Sequence, residues 1–463
     1  MRVAGIIMEC NPLHDGHRYL LKTVREEYEM DRIIVCMSGD FVQRGEPAVQ
    51  SKETRAAQLL QSGADLVLEL PLPYATGAAE VFARGAVTLL EGLGVVTDLF
   101  FGSETGEIEV LSRCAAASLD ESPLLQETLR RALESGLPYP KAYAEALSAA
   151  GAPLPEGAGA NDTLGTMYLR TLFSSCRMPH SSQHPQEKFP YGQSHGSVYR
   201  GTDHQGPAEM PKGSRRSAYQ GTDHQGPADI PEGSRGSAYQ GTDAFPATGT
   251  VRESASLLSP SILPHAVKRI RTDSASAIRE RMRDSGCTGI WPSDLSLPLG
   301  AELIRLTEDN LCTHLYQDVS PDLAARICKC LPAYTDFEQF RALVKTKNVT
   351  MARVSRSLLH ILLDVRSSDL QAYGQAGSVG YARVLGMKRT SRDLLGSISR
   401  NGTFPLITRL SDIKKGSTVI PSPFDQMLRS DLRASALYDL LQRNRRIPDA
   451  PSVPEASKQP VMM

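Results

Sequence analysis

Short apolar runs alternate with amphipathic stretches along the first hundred residues. Four of these runs, Arg2–Met8, Arg32–Met37, Asp65–Leu70 and Asp98–Gly102, are predicted to be β-strands, and the stretches between them have helical spacing. Strands that alternate with helices indicate crossover connections and a parallel sheet. Because no run shows the alternation of a half-exposed strand, helices are predicted on both sheet faces. The carboxyl edge of such a sheet is the expected ligand site.

Helical patterns dominate the rest of the chain. They extend from Glu107 to Phe173, with a break at Gly151–Gly159, and from Pro292 to Arg446, where Leu358–Val365 and Asp431–Leu441 carry apolar positions at helical spacing. The pattern therefore predicts an α/β domain followed by a mostly helical C-terminal domain.

A different composition separates these regions. Between about Ser174 and Ser259 the chain is rich in Ser, Gly, Pro, His and Gln, and a tandem repeat with a 20-residue period is marked by Asp203, Asp223 and Asp243. Such a segment buries too little apolar surface to offset the entropy of ordering its backbone. Fewer than three repeats are complete, so a disordered insertion is predicted rather than a solenoid.

Charge and cysteine content narrow the class of protein. Lys+Arg 51 and Asp+Glu 52 give the 463-residue chain a formal charge of -1, so any RNA site is expected to be a local basic patch. No stretch approaches the roughly 18 apolar residues that a membrane helix needs, and a cytoplasmic protein without membrane contact is expected. The eight cysteines lack CxxC spacing, which argues against a disulfide framework and a four-ligand zinc site. No metal ligands are assigned.

The strongest chemical signal follows the first predicted strand. The segment GIIMECNPLHDGH places His14, Gly16 and His17 in an HxGH turn that opens a helix. Glycine lets the backbone approach a ligand, the helix start offers free N–H groups, and two imidazoles can donate hydrogen bonds to phosphate oxygens. Adenylyl transfer places extra negative charge at the α-phosphate, so positioned donors accelerate it. His14 and His17 are therefore the candidate catalytic residues.

Two further segments fit the same chemistry. Ser274, Ser276 and Arg279 form a small polar helix start with a basic residue one turn in, which is typical of a phosphate-binding loop. The loop after the second strand contains Gln43 and Arg44, which are candidates for positioning substrate or phosphate.

These segments together resemble a known family. GIIMECNPLHDGH, MSGDFVQRGEPA, LELPLPYATGAAEVFARGAV, LFFGSE, NDTLGTMYL, PHAVKRI, SASAIR and YARVLGM, in this order, look like the bacterial tRNA(Met) cytidine acetate ligases of the HxGH nucleotidyltransferase superfamily. The resemblance implies a Rossmann-like nucleotidyltransferase domain. It also implies a two-step ligase reaction, in which ATP activates acetate as acetyl-adenylate and the acetyl group passes to N4 of the wobble cytidine of elongator tRNA(Met).

The resemblance also implies a set of ATP-binding residues, with magnesium expected to accompany ATP. They are Ile7, Met8, Glu9, Cys10, Asn11, Pro12, Leu13, His14, Asp15, Gly16, His17, Arg18, Tyr19, Leu20, Gly102, Asn161 and Arg269. Cys10, Leu13 and Asp15 depart from the commoner family residues, and Asp15 places a carboxylate near the phosphates.

The implied organisation has five parts. Residues 1–173 and 261–285 form the nucleotidyltransferase domain, 174–260 the low-complexity insertion, 286–447 the helical tRNA-binding domain and 448–463 a tail.

A basic patch for tRNA is expected in the helical domain, because each Lys or Arg contact to a phosphate strengthens binding to nucleic acid. The candidates are Lys388, Arg389, Arg392, Arg400, Arg409, Arg429, Arg433, Arg443, Arg445 and Arg446. Tyr381 and Tyr438 are candidates for stacking on anticodon bases. The oligomeric state is left open.

Two other functions remain open from the residues alone. A small-molecule adenylyltransferase would use the same ATP site with a phosphorylated acceptor, and an RNA-binding protein could retain a decayed ATP site. The intact His14, Gly16 and His17 argue against decay.

Overall fold

The computed structural model describes residues 1–120, 122–137, 139–177, 261–270, 272–308, 315–347, 349–414, 416, 418–448 and 454–463. The elements of the first part are β1 (Val3–Met8), α1 (Asp15–Glu26), β2 (Arg32–Ser38), β3 (Phe41–Val42), β4 (Glu46–Pro47), α2 (Lys52–Gln61), β5 (Leu66–Leu70), α3 (Leu72–Ala75), α4 (Ala79–Gly92), β6 (Asp98–Ser103), α5 (Ile108–Asp120), α6 (Pro123–Glu134), α7 (Tyr139–Ala149) and α8 (Ala160–Arg177).

The second part begins with one more strand and is mainly helical. Its elements are β7 (Leu263–Lys268), α9 (Ala275–Asp284), α10 (Ser296–Glu308), α11 (Pro321–Cys330), α12 (Phe337–Val344), α13 (Met351–Leu363), α14 (Ser367–Gln375), β8 (Ala382–Met387), α15 (Arg392–Asn401), β9 (Leu406–Ile407), α16 (Leu410–Lys414), α17 (Phe424–Asn444) and β10 (Val461–Met462).

The main sheet has the order β10-β8-β5-β2-β1-β6-β7, with β9 beside β8. The five strands from β5 to β7 are parallel to one another, and four of them, β1, β2, β5 and β6, are the strands that the sequence predicts. Strands β2 and β5 lie on one side of β1, whereas β6 and β7 lie on its other side, so the strand order switches between β1 and β6. A ligand site is expected where neighbouring connections diverge in this way, at the carboxyl edge.

Both faces of the sheet are covered, which explains the unbroken apolar runs. In β1, Val3 and Ile7 belong to one buried cluster, whereas Ala4, Ile6 and Met8 belong to the cluster on the other face. Helix α4 packs on the first face, and helices α1 and α2 pack on the second.

The helical part has an apolar core of its own. It is built from α10, α11, α12, α13 and α17, with buried positions such as Leu303, Ile327, Phe340, Leu358 and Tyr438. Two residues of the α/β part, Phe41 and Leu72, also belong to this cluster. The helices therefore pack directly against the loop that follows β2.

The prediction of a tail at 448–463 needs correction for the described residues 454–463. Strand β10 pairs with β8, and β8 pairs antiparallel with β5. Glu455 is buried beside Arg383 of β8 and Lys52 of α2. Burial of paired charges fixes this short segment, and a two-residue strand gives no periodic signal in the sequence.

The first four residues of the predicted insertion lie in a helix. Residues 174–177 continue helix α8, and the remainder of the insertion, with its repeats, lies outside the described residues. Cys176 on α8 forms a hydrogen bond with the backbone of Ser261, just before β7. The two described ends of the chain on either side of the segment are therefore neighbours.

Candidate functional site

The turn between β1 and α1 is held by contacts from three directions. The Asn11–Pro12 peptide is cis, and Cys10 has a φ of 52°. The buried Asn11 side chain accepts a hydrogen bond from the Val49 amide at 2.8 Å, and its carbonyl oxygen accepts one from Arg279 Nη1 at 2.7 Å. The turn is thus tied both to the loop before α2 and to helix α9.

His14 and His17 cap helix α1 reciprocally. Nδ1 of His14 accepts the Gly16 amide at 3.1 Å, and Nδ1 of His17 accepts the His14 amide at 3.2 Å. The two ring centroids are 3.8 Å apart. Since a neutral imidazole whose Nδ1 accepts must carry its proton on Nε2, both rings present Nε2–H as a donor.

Burial keeps both imidazoles neutral. It lowers the pKa of His14, with Arg269 as the next cause. It lowers the pKa of His17 to about 3, with His14 and Arg269 contributing. At neutral pH the pair therefore offers two uncharged hydrogen-bond donors to a ligand oxygen, without the repulsion that two imidazolium ions would cause.

Gly16 allows a close approach between the HxGH turn and the segment before α9. A Cβ atom at this position would lie 3.0 Å from His14 Cε1 and 3.3 Å from Thr272 Oγ1. Any larger residue would push the two segments apart, and with them the walls of the cleft beside His14.

That cleft is open and polar, with a volume of ≈ 670 Å³. It is lined by Leu13, His14, Asp15, Arg18, Thr272, Asp273, Ile278 and Arg281. Arg281 pairs with Asp273 at 2.6 Å across its rim. Asp15 has 83% of its side chain exposed and contacts Arg18 at 3.4 Å, and its negative charge acts to raise the pKa of His14.

Gly102, Asn161 and Arg269 meet at the next sector of the same edge. A Cβ on Gly102 would lie 3.5 Å from Arg269 Cγ. Glu104 accepts hydrogen bonds from Asn161 Nδ2 at 2.7 Å and from the Asp162 amide at 2.9 Å, and Arg269 Nη1 lies 3.4 Å from it. Burial would raise the pKa of Glu104, but these amide donors lower it, so the carboxylate stays ionised.

The Ser-rich segment forms the predicted helix start. Ser274 is the N-cap of α9, and its hydroxyl accepts the Ala277 amide at 3.1 Å. Ser276 Oγ instead accepts hydrogen bonds from Arg44 Nη1 at 2.9 Å and Arg279 Nη2 at 3.2 Å. Arg44 of the β3–β4 turn thus joins the predicted phosphate loop.

The remaining positions of the first motif differ in exposure. Ile7, Met8, Cys10, Asn11, Pro12, Leu13 and Leu20 are buried, Glu9, Gly16 and Tyr19 are partly buried, and Arg18 is exposed. The residues whose side chains lie in the core can contact a ligand only through their backbone groups. Glu9 accepts the Gln43 amide at 2.6 Å, and burial raises its pKa.

Arg55 was not predicted, yet it fixes the shape of this edge. Its side chain is fully buried and donates to the carbonyl oxygens of Glu9 at 2.8 Å, Ser38 at 3.1 Å and Gly39. It therefore holds the ends of β1 and β2 in place. An arginine on an amphipathic helix ordinarily faces solvent, so the sequence carries no signal for this role.

The expected tRNA patch does not lie at this site as one surface. The Lys388 amide bonds to the Asp65 carbonyl, and Asp393 pairs with Arg32, which places Lys388, Arg389 and Arg392 at the amino edge of the parallel strands. A seven-residue strand is about 23 Å long, so this edge is far from the HxGH turn.

Three other arginines of the predicted patch form ion pairs, and the two tyrosines predicted to stack on bases are buried. Arg429, Arg433 and Arg445 pair with Asp425, Asp364 and Asp294. The prediction that Tyr381 and Tyr438 stack on bases is wrong, because both are fully buried. Their hydroxyl groups bond to Asp431 and to the Ala48 carbonyl, so their amphipathic rings serve the core.

The described residues contain neither a membrane-spanning helix nor a cluster of metal-ligating side chains. No helix in the described ranges is long and apolar enough to cross a membrane. Within the same part of the chain, no group of three or more His, Cys, Asp or Glu side chains is placed to hold a metal ion.

The chain is similar to known proteins along nearly its whole length. The tRNA(Met) cytidine acetate ligases of Acetivibrio thermocellus and Thermoanaerobacter sp. are 29% and 28% identical to this chain, covering 96% of it and 96% and 97% of their own lengths. The crystal structure of Thermotoga maritima TmcAL bound with alpha-thio ATP matches with a TM-score of 0.72 at 23% identity, covering 100% of this chain and 99% of that one. The likeness to the solved structure shows a shared fold.

The family model described as HIGH Nucleotidyl Transferase matches residues 1–178 and 254–450. These ranges include every strand from β1 to β9 and both histidines of the HxGH turn. The chain therefore belongs to the HIGH nucleotidyl transferase family, as its first motif predicts.

Proposed function

We propose that this protein is an ATP-dependent ligase that activates acetate as acetyl-adenylate and transfers the acetyl group to N4 of the wobble cytidine of elongator tRNA(Met), forming N4-acetylcytidine. The observation that carries the proposal is the pair of neutral imidazoles at the carboxyl edge of the sheet, in a chain that matches relatives of that name over nearly its whole length. Acetate and tRNA are the co-substrates.

In the first step, an acetate oxygen attacks the α-phosphorus of ATP. The bond from that phosphorus to the bridging oxygen breaks, and pyrophosphate leaves. The Nε2–H groups of His14 and His17 donate to the oxygens that gain charge, and being neutral and fixed by backbone contacts they need no reorganisation. Ser276 and Arg279 bind the phosphates that leave, and Gly102, Asn161 and Arg269 bind the nucleoside end.

In the second step, the cytidine N4 attacks the acyl carbon, AMP leaves, and the nitrogen loses a proton. A metal ion is expected to arrive with ATP, because Mg²⁺ prefers phosphate oxygens and water to an all-protein site.

The test is incubation of the purified protein with ATP, labelled acetate and total tRNA, followed by digestion to nucleosides. We expect labelled N4-acetylcytidine, its loss with His17→Ala, and pyrophosphate release that depends on acetate. Pyrophosphate release that depends instead on a phosphorylated small molecule would show an adenylyltransferase. If no pyrophosphate forms while tRNA still binds, the protein is an RNA-binding protein.

A further inference from the structure

Two guanidinium groups meet at one hydroxyl beside the site. Arg44 Nη1 and Arg279 Nη2 donate to Ser276 Oγ at 2.9 and 3.2 Å. Arg44 comes from the β3–β4 turn and Arg279 from helix α9, so tertiary structure alone brings the two charges together. Like charges at such a separation repel each other, and the arrangement costs free energy unless an anion joins it.

No carboxylate in the described ranges forms an ion pair with either arginine. Glu46, next along the β3–β4 turn, pairs with Arg341 at 2.8 Å instead. Glu9 lies within electrostatic range of both guanidinium groups but accepts the Gln43 amide. The pKa of Arg279 is lowered by burial and, next, by Arg44. Glu46 and Glu9 therefore offset part of the positive charge of Arg279 from a distance, but neither forms an ion pair with Arg44 or Arg279.

The position of Arg44 is fixed by its neighbours. Gly45 has a φ of 76°, and a Cβ there would lie 2.2 Å from the Arg356 amide nitrogen of α13. The turn therefore packs backbone to backbone on the helical part, and Glu46 ties it to Arg341 of α12. Arg279 also donates to the Asn11 carbonyl, three residues before His14. The charged pair therefore lies beside the start of the turn that carries His14 and His17.

We propose that Arg44 and Arg279 together bind the terminal diphosphate of ATP, with Ser276 between them, and hold pyrophosphate as it leaves. Arg44 is a substrate-binding residue that no motif of the first helix or of the Ser-rich loop includes. The proposal rests on the ATP-dependent function proposed above. Guanidinium groups suit this ligand because each can make two parallel hydrogen bonds to phosphate oxygens.

The two arginines have the charge to bind a phosphate of RNA as well as the diphosphate of ATP. Binding measurements distinguish these two ligands. Calorimetry without acetate or tRNA gives the Kd of ATP, ADP and AMP for the parent protein and for Arg44→Ala, Arg44→Lys and Arg131→Ala. Arg131 is a matched control because it is an exposed arginine on α6 that pairs only with Glu127 among described residues. Urea unfolding of each variant checks that it is folded.

We expect Arg44→Ala to weaken ATP binding by about 10- to 100-fold, as for the loss of a charged hydrogen bond, and AMP binding by less than about 2-fold. Arg44→Lys should fall between, and Arg131→Ala should match the parent protein. An equal loss for ATP and AMP overturns the proposal, as does unchanged ATP binding with weakened tRNA binding. If Arg44→Ala weakens the binding of ATP but not of AMP, and the parent protein forms no acetylcytidine, the diphosphate site is supported and the ligase function is refuted.

Discussion

Lys52 Nζ lies 2.6 Å from Glu455 Oε1, although the two residues come from opposite ends of the chain and both are buried. Lys52 also pairs with Asp40 at 3.3 Å and Glu69 at 3.0 Å. Asp40 precedes the β3–β4 turn that carries Arg44. The C-terminal segment is thereby connected, through buried charges, to the loop that enters the candidate site.

Removal of the Glu455 carboxylate should destabilise the protein strongly. Glu455→Ala leaves Lys52 and Arg383 buried with fewer counter-charges, and breaking a buried pair typically costs about 3–5 kcal/mol. Urea unfolding measures the loss. Glu127→Ala is the control, because its pairs with Arg130 and Arg131 are at the surface, where solvent screens the charges. Equal effects of the two substitutions would contradict the prediction.

The contribution of Glu455 should also depend on pH. Burial would raise its pKa, but Lys52, Arg383 and Lys458 lower it well below the ordinary value. Stability from a carboxyl group with a lowered pKa is present above the unfolded value, near 4.3, and is lost as the pH falls below it. We therefore expect the difference in unfolding free energy between the parent protein and Glu455→Gln to shrink below about pH 4.

His17 should act without titrating in the physiological range. Its pKa of about 3 predicts that ATP affinity shows no inflection from this residue between pH 6 and 8. His17→Asn keeps an acceptor for the His14 amide but lacks the Nε2–H donor, so acetylcytidine formation should fall about 100- to 1,000-fold. Nitrogen NMR should show the Nε2–H tautomer. An inflection near pH 6.5 that the substitution abolishes would refute the neutral-donor assignment.

Arg55 should matter for nucleotide binding although it lies beneath the site. Arg55→Lys retains the charge but cannot reach the carbonyl oxygens of Glu9, Ser38 and Gly39 together. We expect ATP binding to weaken by about 10-fold and unfolding free energy to fall by about 2–3 kcal/mol, from lost charged hydrogen bonds. Arg25→Lys is the control, because Arg25 donates to carbonyl oxygens at the opposite, amino edge of the sheet. This substitution should lower the unfolding free energy but leave the ATP affinity unchanged.

Tyr438 should affect folding and not base recognition. Its hydroxyl donates to the Ala48 carbonyl at 2.6 Å, and Tyr438→Phe leaves that oxygen without its partner, at a cost of about 1–3 kcal/mol. Filter binding with tRNA, below the unfolding transition, should change by less than about 2-fold. A larger loss of tRNA affinity would restore the stacking role that burial excludes.

Sequence periodicity predicts the α/β fold well because each core strand is an unbroken apolar run. The predicted strand at Asp98–Gly102 differs from β6 by one residue, and the helix start at Ser274 is where the polar cluster places it. Local signals of this kind survive folding because strand burial and helix capping depend on neighbouring residues.

Ion pairs between residues that are far apart in the sequence are not predicted by such local patterns. In the sequence, Arg383 and Glu455 look like ordinary surface residues. In the structure, their buried ion pair connects the C-terminal segment to β8 of the main sheet. The basic residues of α15 and α17 look like one patch in the sequence, whereas the fold divides them between ion pairs and the far edge of the sheet. Which charges meet is decided by topology, and one sequence does not contain that information.

The contact between Cys176 and Ser261 brings the end of α8 and the residues just before β7 together. A flexible connection between these two points can be short or long without moving α8 or β7, because each doubling of its length costs only about 0.6 kcal/mol. A variant in which a few glycines join residue 177 to residue 261 should accordingly keep α8 and β7 in place and bind ATP with the affinity of the parent protein.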